Sequence, residues 1–363
     1  MKQLNNIIIC LIVLSFWGCS STSERENDKG SKQIQLKKCL TLQKIAELEN
    51  TPSVVGRIES FTMINDSNFL VSTSKPPRVF KYNTKGSQLQ QIGKVGRGPY
   101  EYINPDIVKA NNNNVYIWCS NLLKLIIFDN SGTPLKEYNF DKAIKEFLPY
   151  KNFLCFYSSG GFDEPIIKIF DLSKNKLIND GYGIKSNEHK LLNMKEGSGG
   201  LAIKDSMLYF TPTNSLTINE INLNTLKKGE SYKIDDPDFN TQKMKGDINT
   251  LIEKSQAEMF KYIYGTAVTN GIFCIDSLLI LKSIIGDIEI DDKTLEFKDI
   301  SKKYHKFYIF NKHIELLFIL KMKLEDCQYL FFSSTKKNLY TIKLKDDQET
   351  YVLNKVLLTQ DLP

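Results

Sequence analysis

Residues 93–99 hold three glycines, a proline and an arginine, and Tyr100, Glu101 and Tyr102 follow directly. Residue types of this kind suit three roles: a phosphate cradle, a catalytic loop, or a structural corner. Gly93, Gly96 and Gly98 are spaced Gly-x-x-Gly-x-Gly. A dinucleotide loop needs Gly-x-Gly-x-x-Gly between a strand and a helix, and a P-loop must end in Lys-Ser/Thr. Here "PYEYINPDIV" follows, which two prolines make a poor helix. Both phosphate readings are therefore excluded. Two remain open. Arg57, Arg97, Tyr100, Glu101 and Tyr102 can form a binding face, since Arg and Tyr are favoured contact residues. Alternatively Arg97 and Glu101 pair, and the run is a structural loop in which Gly93, Gly96, Gly98 and Pro99 set the backbone.

Other chemistry is sparse. The histidines are His189, His305 and His313. None belongs to an HExxH pair, and no regular His/Asp set recurs, so they read as solvated surface residues. There is no Gly-x-Ser-x-Gly elbow. Asn65-Asp66-Ser67 reads as a turn. No cofactor or metal is implied. Seven cysteines include no CxxC. Cys39, Cys119, Cys155, Cys274 and Cys327 mostly lie in apolar runs, where free cysteine packs as a small hydrophobe. The net charge of +6 is spread thinly, which argues against nucleic acid as a partner.

These residues sit in a chain that repeats itself. Short apolar and aromatic runs recur at "FLVST" (69), "VYIWC" (115), "FLCFY" (153), "MLYFT" (207), "SLLIL" (277) and "YLFFS" (329). They are too short for helices and rich in strand formers. Each leads through a polar gap to another strand, such as "RVFKYN" (78), "KLIIFD" (124) or "KFYIFN" (306), and then to turn residues and a further strand. The fold class is all-β. Six units of three to four antiparallel strands predict a six-bladed β-propeller. The runs above read as the opening strands of the blades. "CLTLQKIAEL", residues 39–48, supplies an extra strand that can pair near "YVLNKVLL" and close the ring. Its apolar positions Leu40, Leu42, Ile45 and Leu48 do not alternate, which predicts a bulge. Between blades four and five, residues 238–265 read as a short helical insertion. Asp238 caps it, and Ile248, Leu251, Ile252 and Met259 share one face. Residues 183–200 read as a surface loop.

"GKVGRGPYEYINPDIVKANNNNVYIWCSNLLKLIIFDNSG" resembles an NHL-type repeat. It is more similar still to bacterial envelope proteins described as six-bladed β-propellers, which carry GxGPGEY where this chain has Gly96 to Tyr102. Tyr100 replaces a glycine of that pattern, and Cys119 stands where NHL repeats usually have Asp. The second departure loosens the likeness to NHL enzymes and ligand binders, and the repeat pattern without a catalytic constellation points to a binding or scaffold module. The alternative is a metal-dependent propeller enzyme, lactonase- or lyase-like, acting at the central channel.

The N-terminus is a targeting segment. Lys2 precedes "IIICLIVL", an apolar run too short to span a bilayer, and then "SFWGCSSTSE". The Gly–Cys step resembles a lipobox, which implies lipidation of Cys19. Phe16 and Trp17 depart from that pattern, and a plain secretory signal is the other reading. The expected organisation is signal peptide 1–18, flexible tether 19–33 and one propeller domain 34–363. The chain is expected in the bacterial envelope, anchored by lipid to the outer membrane. It would be a monomer whose partner is an envelope protein, a small ligand or a glycan, and would touch the membrane through its N-terminal lipid.

Overall fold

The computed structural model describes residues 40–358, apart from 51–52, 54, 112, 159–164, 179–180, 183–191, 193–198, 240–255, 286–288, 291–296, 300–302, 324–330 and 346–349. Six antiparallel sheets of four strands form the blades of a propeller. From the axis outward, blade one is Ile58–Met63, Asn68–Ser74, Pro77–Asn83 and Gln88–Gln91. Blade two is Ile107–Ala110, Asn114–Cys119, Lys124–Asp129 and Pro134–Asn139. Blade three is Ile144–Tyr150, Phe153–Ser158, Ile167–Asp171 and Lys176–Leu177. Blade four is Gly200–Lys204, Met207–Thr211, Thr217–Asn222 and Lys227–Lys233. Blade five is Val268–Ile275, Leu278–Ile285, Tyr304–Phe310 and Leu316–Lys323. Blade six takes Phe331–Ser334, Leu339–Leu344 and Tyr351–Leu358 from the end of the chain and Leu40–Glu47 from its beginning. The innermost strands touch in cyclic order, blade six against blade one, so the ring is complete.

The recurring apolar runs are displaced by one strand from the expectation. Five of the six are second strands, and only Phe331–Ser334 is innermost. The second strand is flanked on both edges and covered on both faces, so it is almost wholly apolar; Val115–Cys119 is buried throughout. An innermost strand such as Ile107–Ala110 is mostly half-buried, and it reads more weakly in sequence.

A second repeat lies at the outer turns. The third strands of blades one to four end in Asn83, Asp129, Asp171 and Asn222, and Asn311 directly follows that of blade five. Each side-chain Oδ1 accepts hydrogen bonds from two backbone N–H groups of the following turn. A residue with positive φ completes each turn: Gly86, Gly132, Asn175, Leu226 and Ile314. Ser173 and its neighbours hold the Asp171 carboxyl down at about 2.

Aromatic and branched side chains fill the seams. Phe61, Phe69, Phe80 and Tyr82 meet Tyr340, Ile342 and Leu353 between blades one and six. Trp118 and Tyr116 meet Phe147, Phe156 and Phe170 between blades two and three. Polar ties join the innermost strands: Val108 N donates to Ser60 Oγ (3.1 Å), Met63 N donates to Ser333 Oγ (2.9 Å), and Lys109 pairs with Glu146 (2.7 Å).

Closure follows the sequence expectation. Leu40 pairs with Leu358 and Glu47 with Val352, with the register shift between Lys44 and Ala46. The bulged residue is Ile45, which is turned outward, while Ala46 and Leu48 return to the core. That bulge is the physical reason for the broken alternation.

The insertion before blade five departs from expectation. The described helix is Gln256–Gly265. Asp238 does not cap it; its carboxylate binds lysines instead. Ile248, Leu251 and Ile252 lie outside the described residues, and Met259 packs with Tyr262, Ile263, Val268 and Ile284. The stretch 183–200 is not simply a surface loop. Leu192 is buried in that same cluster, and Gly200 begins a strand.

Candidate functional site

Strand direction alternates within each blade. Connections from an outermost strand to the next blade, and from second to third strands, therefore leave from one face. The others leave from the opposite face. Long connections belong to the first face: 92–106, 178–199, 234–267 and 286–303. The opposite face has tight turns such as 64–67, 84–87, 151–152, 205–206 and 276–277. Loops carried by a rigid scaffold are where binding residues concentrate, so the long-connection face holds the candidate site.

Residues 92–106 cross this face from blade one to blade two. Gly93 has φ +70°, and a Cβ there would lie 2.8 Å from the Tyr102 ring and 2.9 Å from that of Phe128. Gly96 and Gly98 do not have positive φ. They are small because the Glu101 carboxylate lies against them, where a Cβ would meet Oε2 at 2.0 and 2.9 Å. Glu101 Oε2 accepts the Gly98 N–H (2.8 Å), and the backbone of Glu101 returns to Gly98 O. The carboxylate thus serves the loop rather than Arg97. The left-handed residue is Tyr100, φ +58°, at the position where the resembled pattern has glycine.

Blade two holds the loop from beneath. Buried Lys124 donates to Gly98 O (3.1 Å) and approaches Glu137 Oε2 (3.4 Å). Glu137 Oε2 also accepts the Tyr100 N–H (2.7 Å). Nothing in the sequence ties these residues to the glycine run, because strand register alone brings them there.

The five proposed contact residues separate. Tyr102 is fully buried; its hydroxyl donates to Ile92 O (2.8 Å) and accepts from Val79 N (3.2 Å), and burial pushes it up to about 12. It is a brace between blade one and the loop and is not available to a ligand. Glu101 is turned inward. Arg57 stands just before blade one's innermost strand and lies near Glu59 (3.6 Å). Arg97 and Tyr100 are exposed on the loop.

A second polar group occupies the same face over blades four and five. The chain leaving Lys227–Lys233 turns through Asp235, Asp236 and Asp238. Buried Lys306 pairs with both Asp236 and Asp238, and Lys321 with Asp238 (2.9 Å). Tyr308 donates to Asp236 (2.8 Å). Lys321 and Lys306 hold the Asp238 carboxyl well below the usual carboxylate range. Beside this group is a cleft of about 230 Å³ lined by Asn214, Ser215, Thr217, Lys233, Asp235, Asp236 and Phe239.

The histidines differ from expectation in one case. His305 is buried, and desolvation together with Lys282 and Lys303 pushes its imidazole well below the ordinary range. It pairs across strands with Ile284 and Met322, and no sequence signal marks it as interior. His313 is exposed in an outer turn, and His189 lies outside the described residues. Among the described residues no three His, Cys, Asp or Glu side chains gather as metal ligands would.

A closed ring of six four-stranded blades with one face of long connections defines a β-propeller with a loop-built site. The chain matches a family of unknown function, DUF5128, described as a 6-bladed beta-propeller, over residues 26–268, and it belongs to that family. Two solved structures share the fold. One is a Bacteroides fragilis protein thought to be exported, with 14% identity, TM-score 0.59, and 89% of this chain and 96% of that one covered. The other is a DUF4221 member from Bacteroides vulgatus, with 10% identity, TM-score 0.61, and 88% and 98% covered. Among curated proteins none matches the sequence significantly.

Proposed function

We propose that this protein is a lipid-anchored β-propeller of a bacterial cell envelope. It binds a partner protein or a small ligand through the face carrying the long connections. The observation that carries the reading is Tyr100. It adopts the left-handed backbone that costs a non-glycine residue roughly 1–2 kcal/mol, yet its side chain remains 37% exposed. Leu226 and Ile314 take the same backbone within outer turns, so it is the exposed ring on the long-connection loop, rather than the backbone alone, that supports contact with something outside the chain. Arg97, exposed on the same loop, supplies a cation beside it. The envelope location is supported by the apolar run ahead of Cys19 and by the B. fragilis structure thought to be exported.

The test is crosslinking in cells followed by capture of the protein, comparing the native chain with Arg97→Ala/Tyr100→Gly. The variant should lose a captured partner by about tenfold or more, equivalent to about 1.4 kcal/mol. Its melting temperature should be equal or higher, because glycine relieves the backbone strain. Equal capture by both chains would sink the reading. Cys19→Ser in the same cells should abolish incorporation of labelled lipid.

A further inference from the structure

The face of tight turns carries a patch that the proposed site does not use. At the lower rim of blades two to four, Lys136, Lys151, Lys174, Lys176, Lys227 and Lys228 are all exposed. Contacts make them one surface. Lys136 Nζ donates to Leu172 O (3.4 Å), Leu172 N donates to Asn152 O (2.8 Å), and Lys151 Nζ donates to Asn224 Oδ1 (3.3 Å). Blade two thus touches the outer turn of blade three, and the inner turn of blade three touches the outer turn of blade four. Leu135 (49% exposed) and Leu177 (46%) stand out among these lysines. Three acidic side chains lie in these turns: Asp129 and Asp171 each cap their own outer turn, Asp171 also pairing with Lys174 (3.4 Å), and Asp205 is exposed in the inner turn of blade four, against the six exposed lysines. Glu230 lies further along the outer strand of blade four.

Exposed leucines ringed by lysines match a surface whose outer layer is anionic and whose interior is apolar. Chain direction supports the same occupant. Leu40 pairs with Leu358, at the end of a third strand, so the chain enters the propeller from the tight-turn side. A tether leading back to a lipid would leave from that side too. We propose that the lower rim of blades two to four is a docking surface for the anionic headgroups of a lipid bilayer, with Leu135 and Leu177 entering the headgroup layer. The long-connection face then points away from the bilayer. This orientation rests on the envelope location proposed above, whereas the contact itself needs no acyl chain.

The test therefore uses the chain from residue 20 onward, which lacks Cys19 and keeps every described strand. It is mixed with vesicles of phosphatidylcholine alone or with 30 mol% phosphatidylglycerol, as a chosen probe. Each lysine near such a surface adds roughly fivefold in affinity. Binding to the anionic vesicles should be at least about tenfold tighter, and should weaken with salt. Lys151→Glu/Lys174→Glu/Lys176→Glu should lose about tenfold or more at unchanged melting temperature, and Leu135→Ser/Leu177→Ser should weaken binding further. Lys85→Glu/Lys312→Glu, on blades one and five, should change it little. Equal binding to both vesicle types would overturn the docking surface, as would indifference to the blade-three lysines or tighter binding to a DNA oligomer than to the vesicles. None of these outcomes bears on Cys19 lipidation or on Tyr100.

Discussion

Deleting residues 40–48 should leave a propeller that melts far below the intact chain and associates through its last blade. The strand Leu40–Glu47 is the outer neighbour of Tyr351–Leu358, so its loss turns that strand into an edge over its whole length. Leu48 and Ala46 leave the core, Leu42 leaves a half-buried position, and Leu48 N no longer reaches Tyr351 O. Val352, Leu353 and Val356, now buried, lie on the exposed strand. Burying a Leu is worth about 1.5–3 kcal/mol, and a domain's net stability is only about 5–15 kcal/mol. A fall in Tm of roughly 5–15 °C follows, together with oligomers driven by the open edge. Thermal melts and size-exclusion chromatography measure both. Removing residues 20–32 is the control and should change neither. A 40–48 deletion that stays monomeric and melts like the parent would falsify the closure.

Lys306→Met should cost about 3–5 kcal/mol, because it leaves a buried carboxylate without its cation. Lys306 sits on the third strand of blade five with almost no exposure, and Asp236, its partner, is equally buried. The pair fastens the chain leaving blade four onto blade five, and Tyr308 completes it. Denaturant unfolding of Lys306→Met and of Lys306→Met/Asp236→Asn separates the charge from the packing. The double variant removes the stranded charge and should recover a good part of the loss. If both unfold alike, the carboxylate is hydrated in the single variant, and the pair is not the clamp described. Asp238 adds a pH dependence of known sign. Its carboxyl is held low in the fold by Lys321 and Lys306, so its contribution is whole above the ordinary carboxylate range. That contribution is lost as pH falls through the lowered value.

Legibility divided along a physical line. Features written in neighbouring residues could be read. The apolar runs and the turn residues that follow the next strand, and the broken alternation of Leu40, Leu42, Ile45 and Leu48, all concern groups a few residues apart, although the place of the runs within their blades, second strands rather than opening ones in five of six, did not show. Features that depend on register could not be read. Lys124 and Glu137 underlie the crossing loop because of the pairing of blade two. Asp238 resembles a helix cap in sequence, and only the arrival of Lys306 and Lys321 some 70 and 80 residues later gives it another use. Tyr100, Glu101 and Tyr102 are adjacent in sequence and have three different fates. One points outward, one inward to its own loop, and one into the seam.

A ring fastened by its own first strand cannot be finished while the chain is still being made. Leu40–Glu47 is among the earliest parts of the propeller to be synthesised and Tyr351–Leu358 the last, yet they are partners. Blades one to five can each pair locally as they emerge, but the ring stays open until Tyr351–Leu358 arrives. This is a high-contact-order closure, slow by nature. For a chain exported as proposed above, the delay helps, because a ring not yet locked is easier to thread as an extended chain.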